Sequence, residues 1–255
     1  MVKFIIEDGI LKKCKCHDEK EITIPESVTA IGHDAFKRCK SLKTLRIPDG
    51  VTKIGEKCFI GCESLESIQL PENISELPTY FEEECVGSIP LFDYHDNGWK
   101  SSSPPSREYC ERQAMYRETI SQYEYTPFGM FSGCSHLKSI EIPEKVTKID
   151  VCAFADCSAL EEVILHEGIQ LIRDYAFVNC ISLKKIWFPE TVKAIERSAF
   201  EGCSGLKSVT IPENVSIIEE NVFKGCSPEL IIYGRAESYA ETYAQKNNIR
   251  FKIMD

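Results

Sequence analysis

A sixteen-residue phrase recurs along this chain at fixed spacing. It reads IPESVTAIGHDAFKRC from Ile24 and IPDGVTKIGEKCFIGC from Ile47, and related versions begin at Ile142, Phe188 and Ile211. Within each uninterrupted stretch, the equivalent phenylalanines recur with a 23-residue period, as do the equivalent cysteines. A unit of this length is too short to enclose a core of its own. The spacing therefore predicts that successive repeats stack and share one core.

Each repeat contains a short alternating segment. In TLRIP, Leu45 and Ile47 alternate with the polar Thr44 and Arg46, which is typical of a strand with one buried face. Pro48 ends that strand because proline fixes φ and has no N–H to donate. Stacking would place such strands about 4.8 Å apart in a parallel sheet.

The segment Cys39-x-x-Leu42-x-x-Leu45-x-Ile47, together with the phrase around it, resembles the BspA-type leucine-rich repeat family. The resemblance covers about four-fifths of the chain. It implies a leucine-rich repeat solenoid, which is a curved right-handed coil of about eight rungs. A parallel β-sheet is expected on the concave face, and short helical or 3-10 turns are expected outside. For function, the family is implied to be a broad set of binding and adhesion modules, many of them on bacterial surfaces.

Residues 1–255 are predicted to form one domain with a cap at each end. FIIEDGILKKC predicts two strands joined at an Asp8-Gly9 turn, and RAESYAETYAQKNN predicts a short helix between the strands LIIYG and IRFKI. Polar-backed caps keep repeat arrays soluble. The predicted segments are an N-terminal hairpin cap (1–20), repeats (21–77), an insertion (78–127), further repeats (128–233) and a C-terminal strand–helix–strand cap (234–255).

The repeat is interrupted between Pro71 and Pro143, where a single 23-residue step would be expected and the chain is much longer. Two decayed repeats or one long insertion would account for the extra length. An insertion is favoured because Cys85 alone of the repeat landmarks stays in register. Residues 78–127 contain six of the ten tyrosines, and nine acidic against four basic residues.

Two roles are open for this insertion. Ser106 is predicted to cap a helix that either packs back onto the solenoid or belongs to an acidic, tyrosine-rich arm that reaches a partner or lids the concave face. Aromatic-rich loops on rigid scaffolds suit recognition. The candidate partner-binding residues in the insertion are Trp99, Tyr109, Tyr116 and Tyr123.

Charge and hydropathy narrow the range of partners. The net charge of -10 argues against nucleic acid and against anionic lipid, because both need a basic face. No stretch approaches the ~20 apolar residues of a membrane span. Glu7 and Asp8 interrupt what would be the apolar part of a signal peptide. We therefore expect a monomer that is cytoplasmic if Met1 is the native start, and at the cell surface or secreted if a leader was trimmed.

The thirteen cysteines are expected to be reduced, because their number is odd and no signal peptide is visible. Seven of them occupy one slot of the repeat and are predicted to form a buried structural ladder. The cluster Cys14, Cys16 and His17 is a weak candidate for a metal site, because Cys-x-Cys lacks the usual spacing of zinc ligands. We expect no metal and no cofactor.

Catalytic motifs are missing from the sequence. It contains no G-x-S-x-G, G-x-x-x-x-G-K-[ST], H-E-x-x-H or G-x-G-x-x-G, and acids recur at regular solvent positions of the repeat. We therefore expect a protein that is not an enzyme.

Two apolar residues stand out on the predicted concave face. Ile164 and Trp187 occupy equivalent outward positions in adjacent repeats, flanked by Glu162 and Lys185, whereas most other outward positions are small and polar. Exposed aromatics in a polar surface are typical of an anchor site. The leading hypothesis is a binding module for a protein or glycan. In the alternatives, another segment covers these residues, or the repeats form a structural or adhesive surface spacer without a discrete ligand site.

Overall fold

The computed structural model describes residues 2–16, 18–77 and 129–254. These residues form a β-solenoid of about eight turns. The predicted insertion helix and the four candidate residues of the insertion lie outside the described residues. Among the residues that are described, no helix has the length and apolar composition needed to cross a membrane.

Seventeen strands and one helix make up the described fold. In chain order they are β1 (Lys3–Glu7), β2 (Ile10–Lys15), β3 (Glu21–Thr23), β4 (Ala30–Ile31), β5 (Thr44–Arg46), β6 (Lys53–Ile54), β7 (Ser67–Gln69), β8 (Ser139–Glu141), β9 (Lys148–Ile149), β10 (Glu162–Ile164), β11 (Leu171–Ile172), β12 (Lys185–Trp187), β13 (Ala194–Ile195), β14 (Ser208–Thr210), β15 (Ile217–Ile218), β16 (Ile231–Gly234), α1 (Tyr239–Lys246) and β17 (Arg250–Ile253).

Strands of three residues, together with the four-residue strands β16 and β17, form the front of the solenoid. They pair in parallel and in register in the groups β3–β5–β7, β8–β10 and β12–β14–β16–β17. In the three-residue strands the middle residue is buried and the outer two residues point away from the core, as in Thr44–Arg46. We call the outward side chains of these strands the front face. The alternating pattern of the sequence thus sets which residues the front face presents.

The two-residue strands form the back of each turn. β9, β11, β13 and β15 pair in parallel, and β4 and β6 continue the antiparallel hairpin of β1 and β2. The segments that follow these strands are tight turns of the backbone, and not the short helical or 3-10 segments that were expected. The N–H groups of Phe154 and Asp156 donate to Ala176 and Val178 in the next turn, at 2.8 and 2.9 Å. Bonds between turns use the donors that a helix would need for its own ladder.

The core contains a continuous column of phenylalanine rings. Phe154, Phe177 and Phe200 stack with centroid separations of 5.2 and 5.0 Å, which confirms that equivalent side chains align from turn to turn. Phe59 and Phe131 stack at 5.2 Å although the interrupted part of the repeat separates them in sequence, so these two residues belong to neighbouring turns. Offset stacking of this kind stabilises a core beyond the area that it buries.

The cysteine ladder runs beside the phenylalanine column. Cys62, Cys134, Cys157, Cys180, Cys203 and Cys226 each donate a thiol hydrogen bond to the carbonyl oxygen of the phenylalanine in the preceding turn. The donor–acceptor distances are 3.1 to 3.3 Å. These thiols therefore act as buried structural groups that satisfy backbone carbonyls.

Cys39 departs from this arrangement. It forms a disulfide with Cys16, one repeat of 23 residues earlier, with a Cα–Cα distance of 6.1 Å. The expectation that all thiols are reduced is therefore wrong at these two residues. Lys13 stands where the preceding phenylalanine would be, at the end of the ladder. Equivalent residues of adjacent turns are close enough for a disulfide, which requires Cα atoms about 4.4–6.8 Å apart.

The C-terminal helix α1 covers the last turns. Ser238 caps it by accepting a hydrogen bond from the Glu241 N–H. Ala240, Tyr243 and Ala244 are buried, and the ring of Tyr243 meets Phe223 edge-on at 6.0 Å. An aromatic side chain from the cap therefore closes the phenylalanine column at this end.

Candidate partner-binding surface

Two neighbouring strands of the front carry the residues that the sequence singled out. Glu162 and Ile164 are the outer residues of β10, and Lys185 and Trp187 are those of β12. The two strands contact each other but belong to different hydrogen-bonded groups. Both have an exposed–buried–exposed pattern, so the four side chains lie on the front face.

The two apolar residues of this group are well exposed. Ile164 keeps 42% of its surface accessible and Trp187 keeps 53%. Burying a large aromatic side chain removes ~150–250 Å² from water, so an exposed tryptophan offers a partner a large favourable contact. The geometry of β10 and β12 thus places two exposed apolar side chains next to each other on the front face.

The sheet continues this row beyond the residues found from the sequence. The register aligns Trp187 with Thr210, Tyr233 and Lys252 on β14, β16 and β17. The Lys252 ammonium lies 5.9 Å from the centroid of the Tyr233 ring, which is within cation–π range. Tyr233 lies two periods of 23 residues after Trp187, so the sequence pattern could have identified it. Lys252 does not follow the period, because it belongs to β17 of the C-terminal cap.

Ile164 has an acidic neighbour on its other side. β10 pairs with β8 so that Ile164 is aligned with Glu141. Glu141 is hydrogen-bonded to His166, with 2.9 Å between Oε1 and Nε2. The histidine in the proline slot therefore helps to hold this carboxylate on the front face.

The charged residues beside Ile164 and Trp187 differ in their pairing from the charged residues that directly precede the front strands. Glu161 pairs with Lys184 across the turns, and Glu66 lies between Lys43 and Lys138. A hydrogen bond from Lys43 lowers the pKa of Glu66. By contrast, within residues 2–16, 18–77 and 129–254, neither Glu162 nor Lys185 forms an ion pair. The charges that flank Ile164 and Trp187 therefore differ from the paired charges beside them.

A second row of charges lies on the other side of the turns and is buried. The Arg173 guanidinium contacts Asp150 Oδ1 at 3.2 Å and Glu196 Oε2 at 3.4 Å. Burial raises the pKa of Glu196 to about 8, and the Arg173 charge opposes this shift. Asp150, Arg173 and Glu196 occupy the repeat position that is glycine in the first two repeats. At Gly55 a side chain would not fit, because a Cβ there would lie 2.5 Å from a backbone nitrogen. Because the row is enclosed and internally paired, we assign it a structural role.

The proposed metal cluster is not assembled by the described residues. Cys16 is bonded to Cys39, and His17 lies outside the part of the chain that the structure describes. Burial raises the pKa of Cys14 to about 11, which disfavours the thiolate that metals bind. In the described ranges, no three His, Cys, Asp or Glu side chains are grouped so that they could hold a metal ion.

A 23-residue repeat, a front of short parallel strands, stacked phenylalanines and a cysteine ladder define a leucine-rich repeat solenoid. The family model of the BspA type leucine rich repeat region matches residues 5–89 and 124–251, with six copies. The chain belongs to this family.

A solved structure shares this fold. A leucine-rich repeat protein from Eubacterium ventriosum is 21% identical with a TM-score of 0.62, and the match covers 86% of this chain and 46% of that one. Two further matches have lower scores. A leucine-rich repeat protein from Bacteroides ovatus is 23% identical with a TM-score of 0.46, covering 93% and 67%. The leucine rich repeat protein of T. pallidum is 17% identical with a TM-score of 0.45, covering 98% and 95%. A search of curated proteins found no match.

Proposed function

We propose that this chain is a non-enzymatic binding module that holds a protein or glycan partner. The observation that carries the proposal is the exposed pair of Ile164 and Trp187 on the front face, next to the charges of Glu162 and Lys185. Exposed aromatic anchors with charged neighbours are typical of binding hot spots. The acidic, tyrosine-rich insertion, residues 78–127, is proposed as a second contact region.

The solenoid offers a rigid support for such a site. The strands that carry the patch are fixed by buried middle residues, Val163 and Ile186, and by the stacked phenylalanine rings behind them. A pre-organised surface loses little conformational entropy when a partner binds. A single exposed tryptophan can then contribute a large share of the binding energy.

The rival proposal is a structural or adhesive surface spacer without a discrete ligand site. It draws on the front face of the early turns, where the outward residues of β3, β5 and β7 are polar or charged and lack large apolar side chains. In a spacer the repeats would provide length, and no single front-face residue would control binding.

A binding experiment separates the two proposals. The full chain, the variant Trp187→Ala and a variant lacking residues 86–126 are applied to protein and glycan arrays, with Ile181→Ala as the control. Ile181 is 49% exposed but lies in a turn outside the front strands. A binding module is expected to bind saturably, and Trp187→Ala should weaken that binding by about 2 kcal/mol, ~30-fold. Saturable binding that Trp187→Ala leaves unchanged would contradict the proposed site, and an absence of saturable binding would favour the spacer.

A further inference from the structure

From β8 to β17 the charged side chains of the front face are ordered by sign: Glu141 and Glu162 come first, and Lys185, Arg250 and Lys252 follow. From Glu141 the row that contains the patch runs through Ile164, Trp187, Thr210 and Tyr233 to Lys252. Glu162 lies beside the acidic end. Four of the five steps from Glu141 to Lys252 join hydrogen-bonded strands, and β10 contacts β12, so at about 4.8 Å per step the row spans about 24 Å. This stretch of the front face therefore has carboxylates on one side of the apolar pair and basic side chains on the other. Beyond β8 the face continues to β7 and β5, where the next charged residue is Arg46.

We propose that the partner held at this site is a polypeptide segment in which an apolar side chain lies between a basic residue and an acidic residue. The inference rests on the proposed function and names the class of partner. The basic residue meets Glu162 and Glu141, the apolar side chain packs on Ile164 and Trp187, and the acidic residue meets Lys252.

Charge complementarity selects a polypeptide over other ligands. Polyanions such as nucleic acid or acidic glycans could meet Lys185 and Lys252 but would be repelled by Glu141 and Glu162 on the other side of the apolar pair. A neutral glycan would leave the charges at both ends of the row unpaired. A peptide can present both signs of charge and an apolar group within the length of the row, because about seven extended residues span ~24 Å at ~3.3 Å per residue.

The ammonium group of Lys252 is positioned by the neighbouring ring of Tyr233. The position of the Lys252 ammonium near the Tyr233 ring keeps the charge over the row, and both residues belong to the register of the front sheet. Across the described part of the chain, Lys252 has no acidic partner of its own. An acidic side chain of the partner would supply one.

The test uses the full chain as bait for a displayed library of random linear peptides of about twelve residues, long enough for the ~24 Å row. Peptides that also bind Trp187→Ala are removed. The retained peptides are expected to carry an apolar residue between a basic and an acidic one. Retained peptides with charges of one sign only, or with no charges, would overturn the inference.

A charge exchange gives the second arm of the test. The double variant Glu162→Lys with Lys252→Glu should bind a retained peptide about tenfold more weakly, and a peptide with its two charges exchanged should recover the affinity. The control exchange, Glu213→Lys with Lys193→Glu, keeps the net charge and alters exposed residues away from the front strands. Equal binding by both double variants would overturn the inference.

A glycan array run in parallel separates failure of this inference from failure of the proposed function. Glycan binding that depends on Trp187, with no retained peptides, overturns the polypeptide partner and leaves the binding module standing. If neither peptides nor glycans bind in a way that depends on Trp187, both proposals fail.

Discussion

The thiol of Cys203 donates a 3.1 Å hydrogen bond to the carbonyl oxygen of Phe177, 26 residues earlier in the chain. Each such bond connects one turn to the previous one, directly beside the stacked rings. The same contact recurs from Cys62 to Cys226. It explains why a cysteine occupies this slot: the side chain is small enough for the core and still offers a donor to a buried carbonyl.

Cys203→Ala should lower the free energy of unfolding by about 1–2 kcal/mol, because it leaves a small cavity and an unpaired carbonyl. Cys203→Ser should cost less than the alanine variant, because the hydroxyl can still donate to the Phe177 oxygen. Urea unfolding would compare them, with the exposed Ser204→Ala as the control. A serine variant as unstable as the alanine variant would show that the hydrogen bond contributes little.

Position in the phenylalanine column should set the cost of losing a ring. Phe177 stacks on two neighbouring rings, whereas Phe36, at the start of the column, stacks on Phe59. Phe177→Leu should therefore destabilise the protein more than Phe36→Leu, by about 0.5–1.5 kcal/mol, the value of one aromatic pair. Thermal unfolding of both variants measures this difference. Equal losses would mean that stacking adds nothing to simple burial.

Breaking the bond between Cys16 and Cys39 should destabilise the N-terminal end. The bond closes a loop of one repeat, so reduction should cost about 3 kcal/mol through the entropy of the unfolded chain. The oxidised chain should have a mass two hydrogens below that of the reduced one. Cys16→Ser should be as unstable as the reduced protein and should not respond further to reductant. A response of Cys16→Ser to reductant would point to another redox-sensitive pair.

The buried carboxyl of Glu196 predicts a pH dependence of stability. Burial raises its pKa in the folded protein from 4.5 to about 8. The unfolded chain therefore loses this proton first, and the contribution of Glu196 to stability falls as pH rises from about 4.5 to about 8. Glu196→Gln should remove this slope, with a gain of about 3 kcal/mol over the wild type at pH 8 relative to pH 5. Unfolding curves at both pH values test this, with Glu213→Gln as an exposed control. Parallel pH profiles for wild type and Glu196→Gln would contradict the prediction.

The sequence pattern predicted some of the contacts in the structure and not others. The 23-residue spacing of Phe154, Phe177 and Phe200 predicted the stacked column, and the alternation in KIW and EVI predicted that Trp187 and Ile164 are in outward positions. The pairing of Cys16 with Cys39 was missed although the two cysteines are one period apart. The 23-residue separation of Cys16 and Cys39 indicates their pairing better than the odd number of cysteines indicates reduced thiols.

The sequence by itself determined what repeats: which side chains enter the core, which reach the front face and how many residues make a turn, because a fixed period places equivalent residues in equivalent surroundings. Only the tertiary structure decided the contacts between residues that the 23-residue period does not relate. The placement of Lys252 over Tyr233, of Tyr243 on Phe223 and of Phe131 on Phe59 depends on how the chain returns after a cap or a break. Local pattern does not encode such returns, because they are set by packing between segments distant in sequence.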